Sequence, residues 1–315
     1  MCETRAVAGL RAPAVMGGGA MSGPSSASGF RDESLGLWDR MAAGWGRDGD
    51  SIWAASRAVG EWMVAAVRPG AGDTVLELAA GPGDTGFAAA RLVGDSGRLI
   101  CTDFAPEMVA VARSRGAALG LTNVEYQVLD AERIELDSES VDCVLCRWGY
   151  MLMENPALAL RETRRVLRAG GRLALSVWGE PADNPWASVP AAAIANGGWL
   201  EPPLPGAPGI FALAAPERLR QLLADAGFND LQLDQIDVVW PFASFDAYWQ
   251  YLSGVAGAIA IVLEGLGDAD RATARDQIRN AIEPYRAGAS YELPGRCLNA
   301  SGRRDRDVAQ ASPSA

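Results

Sequence analysis

Glu77 stands just before a glycine-rich run, Gly81-Pro82-Gly83-Asp84-Thr85-Gly86, and a second carboxylate, Asp84, lies inside it. Glycines there let the backbone turn sharply and approach a ligand with no Cβ in the way. Upstream, Val75, Leu76 and Leu78 form the apolar run of a strand covered on both faces, and downstream Phe87 to Leu92 has an Ala-rich helical composition. Strand, glycine loop and helix in that order make a nucleoside-cofactor site. The run satisfies G-x-G-x-x-G, with Asp103 about 20 residues on, as a dinucleotide fingerprint requires. A pyrophosphate, however, needs a helix N-terminus free to receive it, and Asp84 sits beside that N-terminus. A carboxylate pair suits a cationic ligand without phosphate.

S-adenosylmethionine (SAM) is such a ligand, carrying a sulfonium, an ammonium and two ribose hydroxyls. Composition supports chemistry of this kind by what it lacks. The chain has no histidine and no lysine, so all 28 basic residues are arginine. Ser-His-Asp triads, Cys-His pairs, H-E-x-x-H zinc sites, P-loop lysines, Schiff-base lysines and a Tyr-Lys dehydrogenase pair are excluded. Methyl transfer survives, because a sulfonium is already a good leaving group. The protein then holds nucleophile, methyl carbon and sulfur in line and excludes water. Any base must be Asp, Glu, Tyr or Cys, and the sequence singles out none. A net charge of −11 and a pI near 4.7 argue against nucleic acid as a partner. Five cysteines, an odd number, give no disulfide framework. Cys143 and Cys146 spell C-x-x-C, but residues three apart on a strand face opposite ways, so no metal site is expected.

At these residues the chain resembles the class I SAM-dependent methyltransferases, and among them the small-molecule subgroup of ubiquinone/menaquinone biosynthesis. The resemblance covers roughly Leu37 to Arg303. The family's V-L-D/E-x-G-x-G-x-G corresponds to Val75 through Gly83, with Ala79 where the first glycine usually stands, a change that backbone of negative φ tolerates. It implies that Glu77, Ala79, Gly81 and Gly83 belong to the cofactor loop. Asp103, ending Arg98-Leu99-Ile100-Cys101-Thr102-Asp103, would accept from both ribose hydroxyls, and Phe104 and Met108 would give apolar contacts to adenine or ribose. Asp130-Ala131, after the strand Val124 to Leu129, is similar to the pair that meets the adenine edge. Arg168-Ala169-Gly170-Gly171-Arg172-Leu173 is similar to the family's L-x-P-G-G-x-L connection. Asp103 and Asp130 also have the residue type of ordinary helix caps. Arg147, ending the strand Val141 to Arg147, would meet the SAM carboxylate or an acidic substrate group, or else pair with Asp142 or Glu154. The implied activity is methyl transfer from SAM to a small aromatic, quinone-like or phenol-like acceptor. Two other readings stay open: a non-catalytic SAM- or nucleotide-binding module, and an NAD(P)-dependent oxidoreductase.

These residues need a scaffold. The expected fold is α/β: a doubly wound, mostly parallel seven-stranded sheet of Rossmann-like methyltransferase type, with a helical N-terminal lid and a helical insertion before the last strand. The chain divides into a disordered extension (1–30), a helical lid segment (31–70), a SAM-binding domain (71–303) and a disordered tail (304–315). Within the domain, 179–215 (with Asn184-Pro185-Trp186) and 241–288 are insertions covering the substrate. Trp45, Trp53, Tyr150, Met151 and Trp186 fall near predicted strand ends or lids and suit a flat apolar acceptor. Arg161, Arg164, Arg165 and Arg168 lie at helical spacing and read as a solvated outer face. The longest apolar run, Val255 to Leu263, is too short to span a bilayer, so the expectation is a cytoplasmic protein with no stable membrane insertion.

Overall fold

The computed structural model describes residues 27–201 and 206–305. Strands β1 (Thr74–Glu77), β2 (Arg98–Asp103), β3 (Val124–Val128), β4 (Val141–Arg147), β5 (Leu167–Trp178), β6 (Asn229–Phe242), β7 (Arg286–Ala287) and β8 (Ser290–Arg303) form one sheet. Its order is β3-β2-β1-β4-β5-β8-β6, and the two-residue β7 only extends a hairpin with β8. β1 to β5 are parallel, and β8 enters antiparallel between β5 and β6. Central β1 is buried throughout, as a strand covered on both faces must be. Edge strand β6 alternates instead: Val238 and Trp240 are buried while Val239 between them is exposed.

Helices α1 (Ala27–Val67), α2 (Asp84–Val93) and α3 (Pro106–Ala118) touch one another and form one layer; α4 (Pro156–Val166) and α6 (Pro216–Asp225) meet in the other. α1 is one helix of 41 residues. Its second half buries Ile52, Ser56, Val59, Met63 and Val67, spaced by three or four residues, against the sheet. α5 (Pro185–Asn196) and α7 (Phe245–Val255), α8 (Ala258–Gly265) and α9 (Asp268–Ile282) build the cover. α1 crosses α7 so closely that a Cβ on Gly44 would stand 2.0 Å from the Gly254 carbonyl oxygen. Asn184 pins the first insertion: its amide nitrogen donates to the carbonyls of Gly179, Glu180 and Arg296, and its Oδ1 accepts from Arg296 N.

Several boundaries differ from expectation. Residues 27–30 belong to α1 rather than to a disordered extension; the rest of that extension lies outside the described residues. The segment after Arg303 does not begin as a free tail. Arg304 is 8% exposed, its N–H donates to Gly171 O, and its guanidinium donates to the carbonyls of Arg164, Arg165 and Leu167. The Arg168–Leu173 connection is itself strand: β5 starts at Leu167, with a register shift against β4 and Gly170 at φ +84°. The arginine stripe from α4 into β5 is solvated at Arg161 and Arg168 but makes structural contacts as well. Arg165 grips Glu162 and the carbonyls of Ile134 and Leu136, Arg164 donates to Gly227 O, and Arg168 pairs with Asp142. No described helix is long and apolar enough to cross a membrane.

Candidate functional site

The site is built at the carboxyl ends of β1, β2 and β4, where an open α/β sheet offers a crevice. After Glu77 the backbone is tied on both sides: Leu78 N donates to Leu145 O, Ala80 N to Thr102 O, and Thr102 Oγ1 to Glu77 O. The turn then passes through Gly81 (φ +53°) and Gly83 (φ +88°) into α2. Ala79 is the correction to the sequence reading: it sits at φ +49°, not in the negative range.

Glu77 points beneath this loop. Its carboxylate, 2% exposed, accepts from Gly86 N at 2.8 Å in the first turn of α2, and a Cβ on Gly86 would come within 2.2 Å of Oε2. The last glycine of G-x-G-x-x-G is therefore fixed by this carboxylate. Burial pushes the Glu77 carboxyl up to about 8, against the Gly86 N–H and the nearby Arg147 charge, which favour ionisation. Asp84 is also buried and is held by Arg115 at 2.7 Å, which reaches Asp50 of α1 with the same nitrogen. Burial raises the Asp84 pKa, and the Arg115 hydrogen bond opposes it.

Asp103 faces the loop from β2. Its Oδ2 accepts from Gly81 N at 2.8 Å and its Oδ1 from Ala105 N at 3.0 Å, leaving further acceptor capacity on each oxygen. Burial raises its pKa against these backbone N–H groups. Trp45 of α1 lies over the loop, its ring 3.9 Å from where a Gly81 Cβ would be, and its buried Nε1 has no partner. Met108 packs with Met41, Ala42 and Ala105 where α1 crosses α3, and Phe104 is half-buried. Asp130 uses Oδ1 to accept from Glu132 N at 2.8 Å and Oδ2 to pair with Arg31 of α1 at 3.0 Å. Arg31 also reaches Glu132 at 3.1 Å and Glu154 at 3.8 Å, so the first turns of α1 are tied to this corner. Ala131 is buried next to it.

Arg147 pairs with neither Asp142 nor Glu154, which are taken by Arg168 and Arg31. It lies buried between Thr85 Oγ1 (3.0 Å from Nε) and Ser56 Oγ (2.8 Å from Nη1). Three expected substrate residues lie in the core instead. Tyr150 is fully buried with its hydroxyl 2.6 Å from Thr163 Oγ1, because the chain after β4 turns inward onto α4. Met151 is 2% exposed in the same core. Trp186 packs into a cluster with Trp178 (4.7 Å), Trp240 (5.5 Å) and Tyr251 (6.5 Å), and Trp148 stacks on Trp178 at 4.6 Å. Of the aromatic candidates, Trp45 and Trp53 stay near the loop and Arg147. Sequence reasoning missed Arg31, Ser56, Thr85 and Trp148. Only Trp148 had a local signal, as a large aromatic directly after a strand-end arginine.

Burial pushes Tyr150, Tyr248 and Tyr251 above the ordinary tyrosine range, and Cys143, Cys146 and Cys297 up to about 12. Among the described residues no three His, Cys, Asp or Glu side chains gather as a metal site.

The sheet order, with β8 antiparallel between β5 and β6, and the loop held by Glu77 and Asp103 make a Rossmann-like methyltransferase fold. In particular, residues 75–171 match the family described as Methyltransferase domain. The chain is similar to ubiquinone/menaquinone biosynthesis C-methyltransferases UbiE. It is 35% identical to that of Enterobacter sp. (strain 638) over 36% of this chain and 46% of the relative, and 35% identical to that of Teredinibacter turnerae over 38% and 47%. The chain thus spans about half the length of the curated relatives it matches. In fold it is similar to the YcgJ protein of Bacillus subtilis, with a TM-score of 0.53 at 20% identity over 79% of this chain and 99% of that one. A methyltransferase candidate from Bacillus halodurans gives 0.51 at 19% identity, over 78% and 96%.

Proposed function

We propose that this protein transfers the methyl group of SAM to a small aromatic, quinone-like or phenol-like acceptor. The observation that carries the reading is Asp103, buried at the end of β2 with one oxygen on the loop N–H of Gly81 and the other on Ala105 N. A carboxylate fixed in this way has lone pairs ready for two ribose hydroxyls. Gly81 and Gly83 give the ligand room against the backbone, Ala79 and Glu77 shape and brace the turn, Trp45, Phe104 and Met108 cover the nucleoside, and Asp130-Ala131 bound its adenine end. SAM supplies an activated methyl group. The chain's own part is to fix the cofactor, align an acceptor and exclude water with α1 and the helical cover.

The UbiE relatives are named for C-methylation in ubiquinone and menaquinone biosynthesis, which supports a conjugated hydroxylated ring as acceptor. A net charge of −11 favours a small molecule over nucleic acid, and four buried free cysteines fit a reducing compartment such as the cytoplasm. The test is ligand-dependent melting. SAM and S-adenosylhomocysteine should raise the Tm, and NADH should not; stabilisation by NADH alone would overturn the reading. Asp103→Ala should weaken SAM binding by about 1–3 kcal/mol, the loss of charge-assisted hydrogen bonds. Unchanged affinity by calorimetry would reject its ribose role. Labelled SAM with a panel of phenols and quinols separates transfer from mere binding.

A further inference from the structure

One buried cation has no counter-ion. Arg147 is 8% exposed, and both of its hydrogen bonds go to neutral hydroxyls, Thr85 at the start of α2 and Ser56 on α1. The titratable groups facing it are Asp84 from α2, Glu77 from β1 and Cys297 from β8. Asp84 belongs to Arg115, Glu77 is bonded to Gly86 N with a carboxyl pushed up to about 8, and the Cys297 thiol is pushed up to about 12. A guanidinium taken out of water normally requires a paired carboxylate. Its faces are instead flanked by Trp148, at 4.5 Å, and Trp53, at 5.9 Å. Trp148 is held at φ +63°, a conformation rare for a bulky residue and typical of strained functional sites.

The strand register extends this position sideways. Arg147 on β4 is aligned with Ser176 on β5, and Ser176 with Asn299 on β8. Ser176 and Asn299 are fully buried; Ser176 Oγ has no nitrogen or oxygen partner, and Asn299 Oδ1 has none. Asn299 Nδ2 donates to Val59 O, so the row lies beneath α1. The Arg147 guanidinium and the Ser176 hydroxyl therefore lie side by side near the carboxyl ends of β4 and β5, with Asn299 of the antiparallel β8 next in the row. The row is close to the cofactor loop: a Cβ on Gly149, two residues past Arg147, would come within 2.7 Å of the Ala79 methyl.

Resting on the methyltransferase reading, we infer that Arg147 receives an oxyanion of the methyl acceptor, with the Ser176 hydroxyl as the neighbouring donor. The acceptor class is a phenol or enol acidic enough to bind ionised. Its proton passes to solvent on binding. An electron pair of the anion then bonds the methyl carbon while the carbon–sulfur bond breaks and its pair returns to sulfur, leaving neutral S-adenosylhomocysteine. Attack through a conjugated carbon adds one step, loss of the ring C–H proton to water. The arginine thus does by charge what a general base does elsewhere, in a site whose buried tyrosines and cysteines hold their protons.

The test uses 4-nitrophenol, whose phenolate is coloured, titrated against the full chain with saturating S-adenosylhomocysteine. The wild type should bind the phenolate and lower the probe's apparent pKa by about one unit or more, as an opposite charge at close range does. Arg147→Gln should abolish that shift, Arg147→Lys should keep part of it, and Ser176→Ala, a smaller change, should weaken binding several-fold. Near-ultraviolet circular dichroism checks that each variant is folded. Binding of the neutral phenol, no binding, or a shift that survives Arg147→Gln would overturn the inference. So would a large loss of S-adenosylhomocysteine affinity in Arg147→Gln with the phenolate shift intact, which would place Arg147 on the cofactor carboxylate. The two readings fail separately: phenolate binding that depends on Arg147, with no affinity for S-adenosylhomocysteine, would sustain the anion site and reject the cofactor.

Discussion

Replacing Ala79 by glycine should make the protein more stable. An L-residue in the left-handed region costs about 1–2 kcal/mol, and Ala79 holds φ +49°. Glycine removes that cost but adds about 0.5–1 kcal/mol of backbone entropy to the unfolded chain. The half-buried methyl group of Ala79 is also lost, a fraction of the ~0.8 kcal/mol that a fully buried CH2 contributes. The balance is a gain of about 0.5 kcal/mol, or roughly 1 °C in Tm for a chain of this size. Ala80→Gly is the control, because Ala80 is 6% exposed and is not among the residues of positive φ. It loses methyl and entropy with nothing returned, and should destabilise by about 1.3–1.8 kcal/mol. Urea unfolding of the two variants, read at the midpoint with the slope held equal, measures the difference in sign. If Ala79→Gly destabilises as much as Ala80→Gly, the strain assigned to the turn is wrong.

Glu77 makes a pH prediction. Its carboxyl is raised from 4.5 to about 8, chiefly by burial, so between those values the folded protein binds a proton that the unfolded chain does not. The resulting stabilisation is largest below about pH 4.5 and is lost as pH rises through about 8. Glu77→Gln keeps an acceptor for Gly86 N and cannot ionise, so its Tm should decline less over that range; superimposable Tm profiles would contradict the buried-carboxyl account. Arg304→Ala should cost about 2–3 kcal/mol, because it removes charged N–H donors from three backbone carbonyls. A loss under about 0.5 kcal/mol in urea unfolding would show the end of the sheet to be independent of that clasp.

Periodicity and turn chemistry carried much of the architecture. The apolar runs at Val75–Leu78 and Val141–Arg147 could only be central strands, and the glycines at 81 and 83 fell where the backbone takes positive φ. What the sequence concealed depends on residues distant along the chain. Arg31 lies 99 positions before Asp130, and Arg304 lies 137 after Leu167, so neither contact leaves a local pattern. The strain at Ala79 was hidden because φ is imposed by the ties of Leu78 and Ala80 to neighbouring strands, not by the residue itself. Tyr150 and Trp186 misled because an aromatic near a strand end can turn inward or outward with the same spelling. The isolation of Arg147 became visible once its two candidate acids proved to be committed to other arginines.

The place of β8 bears on how the polypeptide is made. β6 pairs with no strand but β8 among the described residues, and β8 also closes the edge of β5. During synthesis β6 emerges from the ribosome well before its partner, and for that interval the outer edge of β5 and both edges of β6 are unpaired, the template for association with another chain. The 14-residue β8 is thus a keystone: its arrival, rather than completion of the glycine loop, closes the edge of β5 and the inner edge of β6 and leaves only the border of the finished sheet open on that side. A chaperone that binds open edges would be needed before that arrival and dispensable after it.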